Sequence, residues 1–312
     1  MKRTLATGVA GLALAVSLNA PADAETLDIG VAMSRAAHQF LVKVSDAMKA
    51  EAVAIGDINL QIEDAEGDVS KQLSQVQNFV AQGLDAIIVN AADTSAVQPI
   101  TNAAVEAGIP LVYVNLGPEP GTELPEGVVV VVSDHTVSGR LQAEGLVKCM
   151  NGKGNVAIML GELASNATDQ RTAGNKEVFA KHPDIKVVAE QTANYQRNQA
   201  IDLMTNWITT GEPIDAISAN NDEMAIGAIF ALEQAGADPK PYCIGGIDAT
   251  ADALEQMRKG NLDVTVFQDA AGQGKGSIDA AVKLIKGEKV EQWVMIPYEL
   301  VTPENMKDYE NR

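Results

Sequence analysis

The chain is short of the residues that do chemistry. Three of its 312 residues are histidine and two are cysteine. His38, His135 and His182 are scattered, and no H-E-x-x-H pair occurs. Cys149 and Cys243 have no Cys or His at zinc spacing, and there is no C-x-x-C. There is no G-x-S-x-G elbow and no Walker A sequence. The glycine-rich "AGQGKGS" (271–277) lacks the Lys-Ser/Thr pair that grips a phosphate, and it reads as a turn into the next helix. The acidic "EDAEGDVSKQ" (63–72) lacks the ligand alternation of a calcium loop, so Asp68 reads as a helix cap. These absences predict no enzyme, no cofactor and no metal site.

Basic residues are scarce too, 23 Lys and Arg against 42 Asp and Glu, for a net charge of −19. Such a surface is a poor partner for nucleic acid or an anionic membrane. Long apolar runs are missing as well. The run "LATGVAGLALAVSL" behind Lys2 and Arg3 is 14 residues long, short of the ~18–20 that span a bilayer. Ala22-Asp23-Ala24 follows it in the form read by signal peptidase. The expectation is a leader over 1–24, cleaved after Ala24, and a free periplasmic protein. No Cys follows the cleavage site to carry a lipid anchor. Residues 25–312 suffice for two domains. Export permits a disulfide between Cys149 and Cys243, but neither spacing nor count demands one.

What is present is alternation. Near-continuous apolar runs, "LDIGVAM" (27–33), "INLQIED" (58–64), "DAIIVN" (85–90), "PLVYVN" (110–115) and "VVVVVS" (128–133), read as strands buried on both faces. A second series follows: "NVAIML" (155–160), "IKVVAE" (185–190), "DAISAN" (215–220), "YCIGGID" (242–248) and "DVTVFQ" (263–268). Between them lie helical patterns such as "SKQLSQVQNFVAQG", ending in Gly. The two series repeat each other, "LDAIIVNAADTSAVQPITNAAVEAG" against "IDAISANNDEMAIGAIFALEQAG". The fold class is therefore α/β, two similar doubly wound parallel-sheet domains of about five strands each. Ligands of such sheets bind beyond the carboxyl ends of the strands. There stands Asn220-Asn221-Asp222-Glu223. Asp222 and Glu223 suit the start of a helix, which leaves an amide to spare.

The stretches "ANNDEMAIGAIFALEQAG", "GGIDATADALEQMRKGNLDVTVFQD" and "IGVAMSRAAHQFL" resemble periplasmic sugar-binding proteins of the ribose-binding type, the receptors of ABC importers. "VAEQTANYQRNQA" and "PYELVTPENM" are most similar to inositol- and rhizopine-binding members. The resemblance spans 25–312 and implies a type I periplasmic binding protein. Its three crossing segments should fall near 133–134, 267–269 and 296–298. Domain one is then 25–133 plus 269–296, and domain two 134–268 plus 297–312. The implied partners are a small sugar or polyol, a membrane ABC permease and a chemoreceptor, with the protein itself a monomer.

Site residues follow from the resemblance one at a time. Asn221 matches an amide that bonds sugar hydroxyls, Asp248 a bidentate hydroxyl acceptor, and Gln268 a ligand or hinge residue. Capping competes for the first two. Arg171 matches a cleft arginine whose donor fork suits adjacent hydroxyls and would pair with Asp248. Tyr195 and Phe40 stand where aromatic rings face the sugar, with core packing as the alternative. Asp134, at the first crossing, serves as ligand or as cap of a helix from Val137. Ser34 and Asn90 are further candidates at strand ends. Two positions depart from the family pattern. Asn115-Leu116 replaces the usual Asp-Arg and removes a charge pair, and His38 stands where Asn is usual, as ligand or exposed loop residue. Such a site should select a hydroxyl pattern other than that of ribose. Two readings compete: an extracytoplasmic sensor without a transport role, and an exported enzyme that lacks visible nucleophile motifs. A LacI-type repressor core shares the fold, but the leader and the missing helix-turn-helix oppose it.

Overall fold

The computed structural model describes residues 26–310 and 312; the leader and its cleavage site lie outside the described residues. The first half runs β1 (Leu27–Met33), α1 (Gln39–Ile55), β2 (Ile58–Asp64), α2 (Val69–Gln82), β3 (Ala86–Val89), α3 (Val97–Glu106), β4 (Leu111–Val114) and β5 (Val128–Val132). The second runs α4 (His135–Cys149), β6 (Gly154–Leu160), α5 (Asn166–Phe179), β7 (Ile185–Thr192), α6 (Arg197–Thr210), β8 (Ala216–Ala219), α7 (Asp222–Gln234), β9 (Cys243–Gly245), α8 (Ala251–Lys259) and β10 (Thr265–Gln268). The closing elements are α9 (Ala270–Ile285), β11 (Trp293–Met295) and β12 (Tyr298–Val301).

The apolar runs of the first half form one parallel sheet in the order β11-β5-β4-β3-β1-β2. Those of the second form the parallel sheet β7-β6-β8-β9. Single parallel bridges, Gly245 to Val264 and Asp248 to Phe267, bring β10 alongside β9. Both units thus share a 2-1-3-4-5 order, the flavodoxin-like arrangement with its switch point between the first and third strands. Each sheet is buried on both faces. In the first, α1 and α9 cover one side and α2 and α3 the other. In the second, α6, α7 and α8 cover one side and α4 and α5 the other.

Two elements escaped the sequence reading. β11 adds a sixth strand to the first sheet, and β12 pairs antiparallel with β10. Their segment, "WVMIPYELV", is half exposed and broken by Pro297, which leaves only the four-residue apolar run "WVMI". The glycine-rich 271–277 is also corrected: it lies within α9 rather than in a turn. A Cβ on Gly274 would come 2.4 Å from the Val44 carbonyl oxygen, so glycine there lets α9 pack closely on α1. Asp68 does cap α2, accepting the Lys71 amide at 2.9 Å. Cys149 and Cys243 form a disulfide, which ties the end of α4 to β9.

Candidate functional site

The carboxyl ends of the two sheets face each other across a cavity of about 110 Å³, well above the ~10–15 Å³ that a single water needs. Ser34, His38, Phe40 and Asn115 line it from the first unit. Arg171, Tyr195, Asn221, Asp248 and Gln268 line it from the second. Two expected residues stand apart. Asn90 is fully buried behind the wall, where its amide group bonds Ser34 Oγ and the Val114 carbonyl. Asp134 is exposed and caps α4 instead, accepting the Thr136 and Val137 amides, and the helix begins at His135 rather than Val137.

The polar knot after β8 divides its tasks differently from the sequence expectation. Asn221 both lines the cavity and caps α7, its Oδ1 accepting the Met224 amide at 3.1 Å. Asp222 is no cap. It is buried, and its two oxygens accept Thr250 N at 2.7 Å and Thr265 Oγ1 at 2.7 Å. Glu223 pairs with Arg197. The Asp222 carboxylate thereby braces the turn that carries Asp248. That turn is strained, with φ +126° at Asp248 and +52° at Ala249. The Asp248 amide also bonds Val266 O at 2.8 Å. Thr250, not Asp248, caps α8, which leaves the Asp248 carboxylate free for the cavity. Asn115, Asn194 and Tyr195, also at the cavity, share the left-handed backbone.

Arg171 is the electrostatic centre. Its Nη1 donates to Asn220 O at 2.6 Å, and its Nη2 to Gln268 Oε1 at 2.9 Å and Tyr298 Oη at 3.3 Å. Asp248 Oδ1 lies 4.0 Å from Nη2. Burial opposes the charge, but Tyr298, Tyr195 and Asp248 outweigh it and hold the guanidinium firmly protonated. Burial raises the Asp248 carboxyl well above its usual range, and Arg171 offsets this only in part. His38, desolvated and next to Arg171 and Arg35, falls to about 4 and is neutral at neutral pH. The Tyr195 ring lies 6.0 Å from the Arg171 guanidinium, and its hydroxyl is 2.7 Å from Thr168 Oγ1. Gly161 makes room for that ring, since a Cβ there would fall 2.0 Å from it.

Several lining residues were not expected. Arg35 reaches across the cavity mouth to Glu162, with Nε at 3.1 Å and Nη2 at 3.0 Å from one oxygen. Asn166 faces Gly117 O at 3.5 Å and Gln170 meets Glu119 at 3.1 Å, so the two units touch around the rim. His135, Asp93, Leu116 and Asn166 also line the wall. Leu116 was marked in advance by its departure from the family pattern; for Arg35, Asp93 and Glu162 the only advance signal was position, since each follows a strand by a few residues. Around the cavity, His38 Nδ1, Ser165 Oγ, Asn166 Oδ1, Arg171 Nε and Gln268 Nε2 are buried without a protein partner. Donors and acceptors are mixed, which suits hydroxyl groups that can serve as either. Among the described residues no cluster of His, Cys, Asp and Glu could hold a metal ion.

Comparison with known proteins agrees with this architecture. A putative rhizopine-binding protein of Rhizobium meliloti is 49% identical over 306 residues, covering 97% of this chain and 98% of its own. A xylitol-binding protein of Mycolicibacterium smegmatis is 34% identical over 304 residues, covering 96% and 85%. The solved ABC transporter solute binding protein from Bacillus halodurans with bound myo-inositol superposes with a TM-score of 0.87 at 46% identity, covering 93% of this chain and 99% of that one. The family model for the periplasmic binding protein domain matches residues 29–289. With that match over most of its length and relatives alike from end to end, the chain belongs to the periplasmic binding protein family.

Proposed function

We propose that this protein is an exported receptor that captures an uncharged cyclic polyol, of the inositol kind, and presents it to an ABC permease. The observation that carries this reading is the cavity between the two sheets, enclosed from both sides and edged with buried polar atoms that lack protein partners. A buried donor or acceptor left unpaired costs ~1–3 kcal/mol, so a ligand that supplies the partners is strongly preferred over one that does not. The relatives named for rhizopine and for bound myo-inositol support this reading, and the one named for xylitol, an open-chain alditol, supports a polyol more broadly. Asp248, Arg171, Asn221 and Gln268 bond hydroxyls from one side, Ser34, His38 and Asn115 from the other. Phe40 and Tyr195 cover the C–H faces of the ring. Asn90 and Asp134 contribute by positioning rather than by contact.

The protein acts by closure and performs no catalysis. Lobes 25–133 with 269–296, and 134–268 with 297–312, swing on the three crossings, and ligand favours the closed form by binding it better. The leader is cleaved after Ala24, and the released monomer docks on a permease and on a chemoreceptor. The test is a thermal-shift panel on residues 25–312, stripped of ligand by unfolding and refolding. It includes inositol isomers, linear alditols, pentoses, hexoses, and sugar acids as charged controls. A large upward shift with an inositol, by mass action on the native state, is the expected result. Shifts with sugar acids alone, or with none of the panel, would overturn the reading.

A further inference from the structure

One chain of side chains runs from the cavity wall through the hinge and back, and only its Tyr298 link lies outside the lining. It starts at Arg171, which can only donate. Arg171 Nη2 donates to Tyr298 Oη at 3.3 Å. Asn115 O can only accept, so His135 Nε2, 3.3 Å away, carries the ring proton. The neutral imidazole then accepts at Nδ1 from the Tyr298 hydroxyl, 2.8 Å away. Every proton points one way, from the second unit to the end of β4 in the first.

The burial of the relay makes its direction matter. Arg171, Tyr298, His135 and Asn115 are all between 2% and 8% exposed. His135 begins α4 just after the chain leaves the first sheet. Tyr298 begins β12 after the chain leaves it again, and Gln268, opposite Tyr298 in the β10–β12 pair, accepts from the same Arg171 nitrogen. One guanidinium is therefore bonded to, or one step from, all three crossings. The surroundings hold His135 neutral, since burial and then Arg171 lower its pKa to about 3. Asn115, the far end, has a left-handed backbone (φ +64°) and is joined through its side chain to Asn90, and so to Ser34.

We propose that Tyr298 and His135 are positioning residues that couple Arg171 in one lobe to Asn115 in the other, so that a ligand seated on Arg171 fixes the angle between lobes. Tyr298 does not line the cavity. Its hydroxyl sets ligand affinity through this relay alone.

The proposal rests on the receptor reading for its affinity arm, while its distance arm does not. Spin labels on cysteines placed at Val53→Cys and Lys186→Cys, both exposed and in different units, report lobe separation. In the full exported chain with its disulfide intact, Tyr298→Phe is expected to lengthen and broaden the distance distribution without ligand. With myo-inositol as probe it is expected to raise Kd about tenfold, mainly through faster release. His135→Gln, which can still accept from the tyrosine and donate to Asn115 O, is expected to keep near-parental values. His135→Phe is expected to match Tyr298→Phe. An unaltered distance distribution in Tyr298→Phe would overturn the coupling, even if affinity fell, because Tyr298 would then only prop Arg171. Equal behaviour of His135→Gln and His135→Phe would overturn the relay. If the parent binds no myo-inositol, the receptor reading is at fault, and the distance distributions still decide the coupling.

Discussion

At the level of single residues, the cavity depends on groups that do not line it. Gly161 is one. Gly161→Ala would push a methyl into the Tyr195 ring and tilt it away from Arg171. Titration calorimetry should show polyol affinity reduced at least tenfold, with only a small change in melting temperature. Asp222 is another. Burial first, and the Glu223 charge in addition, raise its pKa to about 6 from 3.8, against hydrogen bonds from Thr250 and Thr265. The folded protein therefore holds more protons than the unfolded chain between those two values, and this residue's contribution to stability is lost as pH rises through them. The loss is on the order of 3 kcal/mol. Denaturant melts at several pH values should show that Asp222→Asn lacks this decline relative to the parent. The sequence disclosed the polar knot at 220–223 but not its division of labour. Which of Asn221 and Asp222 caps α7 depends on where the 248–250 turn and the start of β10 place the Thr250 and Thr265 donors. That turn is set by a different strand.

Among the elements, strands were the most legible, because both faces of a doubly wound sheet are covered and their runs stay apolar. β1 and β2 have the bounds their runs predict, and the others differ by a few residues at most. β11 and β12 were hidden because each is short, partly exposed and defined by its partner strand. Close helix pairs were equally hidden, since a glycine in a helix pattern does not say what it faces. The α4–α5 contact is the sharpest case. A Cβ on Gly139 would meet the Arg171 carbonyl oxygen at 2.0 Å, and one on Gly174 the Thr136 carbonyl at 2.3 Å. These are backbone atoms, so the helices themselves must part. Gly139→Ala should destabilise by ~1–3 kcal/mol, as overpacking does. It should also weaken ligand binding, because α5 carries Arg171. Chemical denaturation and titration of the same preparation would check both effects. If stability fell and affinity held, the placement of Arg171 would not depend on this contact.

The molecule as a whole is two units of one strand order with a ligand cavity between them, and that plan was readable from the repeated series. Contacts between the units were not. Arg35–Glu162 and Gln170–Glu119 join residues more than 50 positions apart, on loops whose approach only the assembled lobes define. The Cys149–Cys243 bond was left open by the sequence and is closed in the fold. It spans 94 residues, and loop-closure entropy assigns such a bond ~4–5 kcal/mol. Replacing both cysteines by alanine should lower the melting temperature markedly and change polyol affinity by less than twofold, since neither sulfur reaches the cavity. Calorimetry with and without ligand would test this. Both ends of that bond belong to the α4 and β9 unit, and none of it spans the crossings. Oxidation therefore stiffens one unit from within and adds no covalent restraint between the two.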